Sequence, residues 1–270
     1  MRNIRNPAVA GTFYPRDAGQ LDTQVQGYLR DAKPARNVPT AIIAPHAGYI
    51  YSGPIAGSAY APLQPLANEI HRVILLGPAH REYVDGIAAS SAEVFNTPLG
   101  DVELDQPAIR GLVSALDFVE YNDSAHELEH SLEVQLPFLQ ATLRDFRLLP
   151  FAVGGARQDQ VEELLEKLML DSSSLLVISS DLSHYHAYAD AQQIDRHTTQ
   201  KIEALDPAGL TSENACGQRP ICGLLRYAAN HGLRCEVLDV RNSGDTAGDR
   251  DRVVGYGAYL FYQIEQSDPA

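Results

Sequence analysis

The chain has no tryptophan and only three cysteines among its 270 residues, Cys216, Cys222 and Cys235. The missing tryptophan excludes nothing by itself. The sparse, odd cysteine count argues against a disulfide framework and for reduced thiols. With no C-x-x-C pair, a structural zinc ribbon is not expected either. No stretch approaches the roughly 20 apolar residues that a membrane span needs. The opening residues MRNIRNPAVAGTFYP contain no apolar signal core. The expectation is a cytoplasmic protein with no membrane partner. Positive charge is scarce too: 21 Lys and Arg against 35 Asp and Glu give a formal charge of −14. Nucleic acid is thereby disfavoured as a partner, because phosphate binding needs clustered Lys and Arg. The acids are dispersed, as on a solubilising surface. There is no internal repeat, low-complexity segment or Pro/Gly/Ser-rich linker, so a single domain over 1–270 is expected.

Hydrophobic residues make up 44% of the chain, enough for a sizeable core. Leu21, Val25 and Leu29 at helical spacing predict an amphipathic helix over 16–32. Residues 53–60 read as a small-residue helix packed close to the sheet. Further helices are expected over 105–116, 127–143, 159–171, 187–205 and 220–231, the last closed by Gly232. Strands are expected within 84–97 and over 147–153, 235–240 and 253–262. This alternation predicts an α/β fold, a single domain with a central mostly parallel or mixed sheet flanked by helices.

Three short apolar runs stand out. Residues 40–45 end on His46, residues 73–79 on His80, and residues 175–180 on Asp181, with His184 three residues on. Continuous apolar runs of this length read as buried parallel strands. Ligand chemistry in open α/β sheets gathers beyond the carboxyl ends of such strands. Either histidine alone reads as an ordinary loop residue; the same context twice points to a site. Neutral imidazoles bind divalent transition metals, and two of them with a carboxylate leave positions open for substrate. Asp181 and His184 fit one helical turn, where Asp181 binds metal or orients a ligand and His184 carries protons. The same spacing equally fits an Asp N-cap with His184 on a wet face.

Residues 126–130, HELEH, match H-E-x-x-H, which on a helix puts two imidazoles on one face with a Glu as general base. No third zinc ligand follows, and the stronger reading leaves His126 exposed, with His130 and Glu133 facing a pocket or loop. Asp245, in the loop 242–249, either joins the strand-end rim or belongs to a flexible turn. Cys216 precedes a helix whose dipole lowers a nearby thiol pKa, although a buried inert cysteine is the commoner case.

Taken in order, AGTFYP at 10–15, IIAPHAGYIYSG at 42–53, ILLGPAH at 74–80, TPLGD at 97–101, EHSLEVQLPFL at 129–139, VISSDLSH at 177–184, CGQRPI at 216–221 and SGDTAGDRDRVVGY at 243–256 resemble the Memo family. That family is named for a mediator of ErbB2-driven cell motility, and its bacterial and archaeal members are protein B of the AmmeMemoRadiSam system. The resemblance spans nearly the whole chain. It implies a fold similar to class III extradiol dioxygenases, in which two His and a carboxylate hold non-haem Fe(II) and leave positions open for substrate and O₂. By position, His46 and His80 fall on the paired metal-site histidines, and Asp181 and His184 on the family's D-x-x-H rim. Animal members complete the site with a late cysteine. Here the nearest match is Thr246, a poor ligand, which leaves Asp245 or Asp181 to serve. The family pattern uses only the EHSLE part of HELEH.

The resemblance thus implies a metal-dependent, dioxygenase-like oxidoreductase acting on a small or peptide-borne substrate. His46, His80 and Asp245 would hold Fe(II), with Cu or Zn as alternatives, while His184, His130 and Asp181 would do the proton chemistry. It also implies a radical SAM protein and an AMMECR-type protein as partners. One alternative is a non-catalytic adaptor taking a peptide or anionic ligand in the same pocket. Another is a zinc hydrolase using His126, Glu127 and His130.

Overall fold

A computed structural model describes residues 2–169 and 173–264 of the chain. Its strands are β1 (Ile4–Arg5), β2 (Ala41–Ala44), β3 (Arg72–Pro78), β4 (Ile87–Ala89), β5 (Val94–Thr97), β6 (Gly100–Glu103), β7 (Val119–Tyr121), β8 (Arg147–Val153), β9 (Ser174–Ser179), β10 (His184–His186), β11 (Leu233–Asn242) and β12 (Val253–Gln263). Its α-helices are α1 (Ala18–Asp31), α2 (Tyr49–Tyr60), α3 (Gln106–Ala115), α4 (Ser124–Glu127), α5 (His130–Glu133), α6 (Leu136–Thr142), α7 (Gln158–Leu168), α8 (Tyr188–Glu203) and α9 (Gln218–Asn230). No helix among the described residues is long and apolar enough to cross a membrane.

A mixed sheet runs in the order β10-β12-β2-β9-β3-β8-β4-β7, with β11 paired along β12, and β1, β5 and β6 form a small separate sheet. The α/β architecture with a central mixed sheet is therefore as expected. Strands β2, β9, β3 and β8 are mutually parallel, so their carboxyl ends share one rim. Their residues are the apolar runs of the sequence: Ile42, Ile43, Val73–Leu76 and Leu175–Ile178 are all buried. β9 lies between β2 and β3, so the loops carrying His46 and His80 flank the loop carrying Asp181.

Several local expectations need correction. The small-residue helix α2 does pack on the sheet, against β2, β11 and β12, but its glycines make their closest approach to α1: a Cβ on Gly53 would strike the Tyr28 ring, and one on Gly57 the Tyr28 backbone. Asp181 and His184 do not share a helical turn, because residues 181–183 are irregular and His184 opens β10. The helix expected over 127–143 is broken into α4, α5 and α6. Its first break falls at Glu129, whose extended backbone (ψ 126°) lets its carboxylate cap α5 at the Ser131 amide. The helix expected over 159–171 ends at Leu168, and residues 170–171 lie outside those described.

α5 is held by Glu133, whose side chain is fully buried. It pairs with Arg5 and accepts hydrogen bonds from the Ala8 amide (2.7 Å), the Val9 amide (3.0 Å) and the Tyr14 hydroxyl (2.6 Å). The N-terminal segment is thereby bolted over the rim. Removing one partner of a buried pair strands the other charge. Glu133→Ala should cost about 3–5 kcal/mol of stability by chemical denaturation, and Glu133→Gln, which keeps an acceptor, distinctly less.

Candidate metal centre

Beyond the strand ends, ring nitrogens of His46, His80 and His130 lie within 4.8 Å of one another. The His80 and His130 rings are stacked at 4.9 Å, and His46 meets both edge-on, at 5.2 and 5.4 Å. His46 is buried, while the side chains of His80 and His130 are 29% and 15% exposed, so the group opens to solvent on one side. A groove of about 1000 Å³ between α2 and β11 is lined by none of the sequence-predicted site residues.

Hydrogen bonds fix which lone pairs this group presents. Gln135 Nε2 donates to the Pro45 carbonyl (2.9 Å) and to Ser179 Oγ (2.8 Å), while its Oε1 accepts from the Tyr60 hydroxyl (2.9 Å). Ser179 Oγ spends its single proton on the Ser131 carbonyl. It can therefore only accept from His46 Nδ1, 2.8 Å away. His46 is assigned the Nδ1–H tautomer, with a lone pair on Nε2. His80 reaches the same state differently. Glu129 accepts from its backbone amide (2.6 Å) and from Nδ1 (2.9 Å), so the neutral ring carries its lone pair on Nε2. Carboxylate or hydroxyl partners of this kind orient metal-binding imidazoles. His130 Nδ1 lies 3.4 Å from Glu129 Oε1 without making a hydrogen bond and has no other partner among the described residues.

The electrostatics suit cation binding. Burial, with the neighbouring histidines, holds His46 well below the usual imidazole range, and burial brings His130 down to about 4. Burial pushes Glu129 up, but the His80 ring and amide outweigh it and bring the carboxyl to about 2. His46 and His130 are thus neutral imidazoles near pH 7, and the group is backed by the Glu129 carboxylate. Nitrogen donors in this number fit a transition metal rather than Mg²⁺ or Ca²⁺, which favour oxygen.

Two of the remaining predicted residues, Asp181 and His184, sit beside this group. Asp181 is buried, which raises its carboxyl to about 7, and it accepts a hydrogen bond from the His46 amide (2.7 Å). His184 is half-buried, and burial lowers its pKa. Asp245, expected as third ligand, is not brought to the histidines. Its carboxylate accepts from the Tyr188 hydroxyl (2.5 Å) and the Asn242 amide (3.1 Å). His130, expected to move protons, stands in the group instead. Sequence reasoning missed Glu129, Ser179 and Gln135, and it missed that Cys216 Sγ lies 3.2 Å from His46 Nε2. A signal was available: Glu129, Ser131, Glu133 and Gln135 are polar at every second position and are all buried, a spacing that suits no amphipathic helix.

The H-E-x-x-H helix does not exist. His126 is buried rather than exposed, and its Nε2 donates to the Ala88 carbonyl (3.0 Å), with the helix interrupted between it and His130. Glu127 is exposed. The geometry of a zinc peptidase is absent from this segment.

Fold and site together define an α/β protein with a candidate transition-metal centre at the carboxyl ends of parallel strands. A family profile described as "Memo-like protein" matches residues 5–260, and the chain belongs to that family. Among its relatives described as MEMO1 family proteins, one from Ignicoccus hospitalis is 36% identical, covering 96% of this chain and 98% of its own. One from Aeropyrum pernix is 37% identical, covering 94% and 98%. One from Methanosarcina mazei is 33% identical, covering 95% and 98%. A solved structure, the uncharacterized protein JW3007 from Escherichia coli K12, shares the fold at a TM-score of 0.51 and 13% identity, covering 82% of this chain and 98% of that one.

His126 also generates a pH prediction. Burial brings its folded-state pKa to about 4, below the 6.5 of a free imidazole. The unfolded chain therefore binds the proton first. The associated stability is complete above pH 6.5 and is lost as pH falls through 4. His126→Gln should flatten the fall in unfolding free energy between pH 7 and 4, by up to about 3 kcal/mol, read by denaturant titration at each pH.

Proposed function

We propose that this protein is a metal-dependent enzyme of dioxygenase-like architecture, with His46, His80 and His130 as its metal ligands and a small or peptide-borne substrate. The observation that carries the reading is the set of ring nitrogens within 4.8 Å, two of them with lone pairs freed by hydrogen bonds to Ser179 and Glu129. Donors on one ion each sit about 2.1 Å from it, hence no more than about 4.2 Å apart. A group within 4.8 Å therefore closes on one ion with small side-chain movements. Iron(II) is the proposed metal, with copper and zinc as alternatives, and when bound it would supply Lewis acidity and open positions for substrate and O₂.

The protein's own groups have separable tasks. Glu129 orients His80 and balances positive charge one bond away from it. Ser179 and Gln135 hold His46 in one tautomer. Asp181 acts through the His46 amide, as a positioning residue for the loop. His184, half-buried and neutral, is the group proposed to take and return a proton at the rim.

The test is metal content and affinity. His46→Ala with His80→Ala should abolish stoichiometric binding of Fe(II) added anaerobically, as read by elemental analysis, and unchanged content would refute the reading. Glu129→Gln keeps the shape but weakens the orienting bond, and affinity should fall by about ten- to a hundredfold. Metal-dependent O₂ consumption separates the enzyme from an adaptor that only binds.

A further inference from the structure

α8 buries one stripe against the sheet, and a carboxylate stands in it. Ala191, Asp195, Thr198 and Ile202 recur at helical spacing and are all buried. A charge on the core face of a helix is costly unless it is paired or hydrogen-bonded. Asp195 is 3% exposed, and its Oδ1 accepts from the Ser183 amide at 3.0 Å. Its Oδ2 lies against β12, where a Cβ on Gly255 would meet it at 2.0 Å, so only glycine admits the carboxylate there. Four residues on, the Thr199 and Tyr259 hydroxyls are hydrogen-bonded at 2.8 Å and fix α8 on the same strand.

This bond falls on the irregular segment between Asp181 and His184. Leu182 and Ser183 are fully buried, and Gly255 grips them through its main chain. The Leu182 amide donates to the Gly255 carbonyl (2.8 Å), and the Gly255 amide donates to the Ser183 carbonyl (2.8 Å). Asp195 takes the remaining amide, that of Ser183. The Ser183 amide and the Leu182 carbonyl belong to one planar trans peptide unit, so they point to opposite sides. Holding the N–H on α8 therefore aims the carbonyl away from α8. Its effect is felt at the His184 ring. Burial lowers the His184 pKa, and the Leu182 carbonyl pulls it back up, as an acceptor of a ring proton does.

We propose that Asp195 is a positioning residue for His184, holding the Leu182–Ser183 peptide so that the Leu182 carbonyl fixes which ring nitrogen of His184 carries the proton. The proposal rests on the reading of His184 as the group that exchanges a proton at the rim. Ser179 sets the tautomer of His46 and Glu129 that of His80 by direct contact. For His184 the carboxylate acts at one remove, through a peptide plane. Hydrogen bonds in such a chain polarise one another, so a carboxylate on the N–H makes the carbonyl a stronger acceptor. Burial raises Asp195 to about 6, against the pull of the Ser183 amide and His186, so the carboxyl is mostly ionised at pH 7 and can only accept.

The experiment is nitrogen NMR of the full chain with labelled histidine rings, near neutral pH and without paramagnetic metal, together with amide hydrogen exchange. In the wild type, His184 should show the well-separated ring-nitrogen shifts of a single tautomer, and the Ser183 amide should be protected. In Asp195→Ala, and in Gly255→Ala, which pushes the carboxylate off β12, the two His184 shifts should converge and Ser183 protection should fall by at least about tenfold. Asp195→Asn keeps an acceptor for the Ser183 amide and should retain both wild-type signatures. The His126 ring, held at Ala88, should not move in any variant, which separates loss of positioning from a general loosening of the fold. An unchanged His184 tautomer in a folded Asp195→Ala chain would overturn the proposal. So would an averaged His184 ring or an unprotected Ser183 amide in the wild type, a result that needs no variant to fold. Metal uptake is read separately: a chain that shows these signatures but binds no metal would remove the proposed function and leave the role of Asp195 standing.

Discussion

The structure around the candidate centre depends on one constraint: a run of polar side chains buried in the interior must be completely paired. Glu129, Ser131, Glu133 and Gln135 are all buried at the carboxyl ends of the parallel strands. An unpaired buried polar group costs about 1–3 kcal/mol and a charged one more, so each partner is effectively obligatory. Glu133 fastens the N-terminal segment through Arg5 and three further donors. Ser131 donates to the Pro78 carbonyl at 2.9 Å, tying α5 to the end of β3. Gln135 spans from the Pro45 carbonyl to Ser179, linking β2 to β9. The segment is a clip across three strands.

The same pairing prepares the chemistry. A histidine in solution exchanges tautomers freely, and a metal must select one. Here Ser179 and Glu129 make the selection in advance for His46 and His80, and burial keeps the His46 ring unprotonated near neutral pH. The break in the helix at Glu129 is part of the arrangement. A continuous helix through 126–130 would carry His126 and His130 on one face. The break sends His126 inward to the Ala88 carbonyl and leaves His130 stacked on His80. Gly77 completes the fit, since a Cβ there would meet Ser131 Oγ at 2.8 Å.

The sheet turns this local order into a site. With β9 between β2 and β3, the loops after the three strands emerge side by side at one rim. β12, antiparallel to β2, closes that side and pairs with β10, which places His184 beside the mouth. The acidic composition has little part in this, because the carboxyl groups that matter, Glu129, Glu133 and Asp181, are buried and individually partnered.

Much of this was legible in the chain. Apolar runs ending at His46, His80 and Asp181 specify parallel strands, because only a strand covered on both faces tolerates unbroken hydrophobicity. The ordered motifs specify the family. What pattern alone misjudged was the segment from 127 to 143, where an apparent helix period hides a buried, alternating polar run, and the Asp181–His184 spacing, which belongs to a loop and a strand. The choice of His130 over Asp245 beside the paired histidines, the lone pair that each imidazole presents and the approach of Cys216 to His46 were decided by tertiary structure alone. The physical reason is distance along the chain. Residue types and strand ends are set by local hydrophobic burial, which the sequence records. The partners that orient His46 come from positions 131, 135, 179 and 216, and only the folded sheet brings them within hydrogen-bond reach.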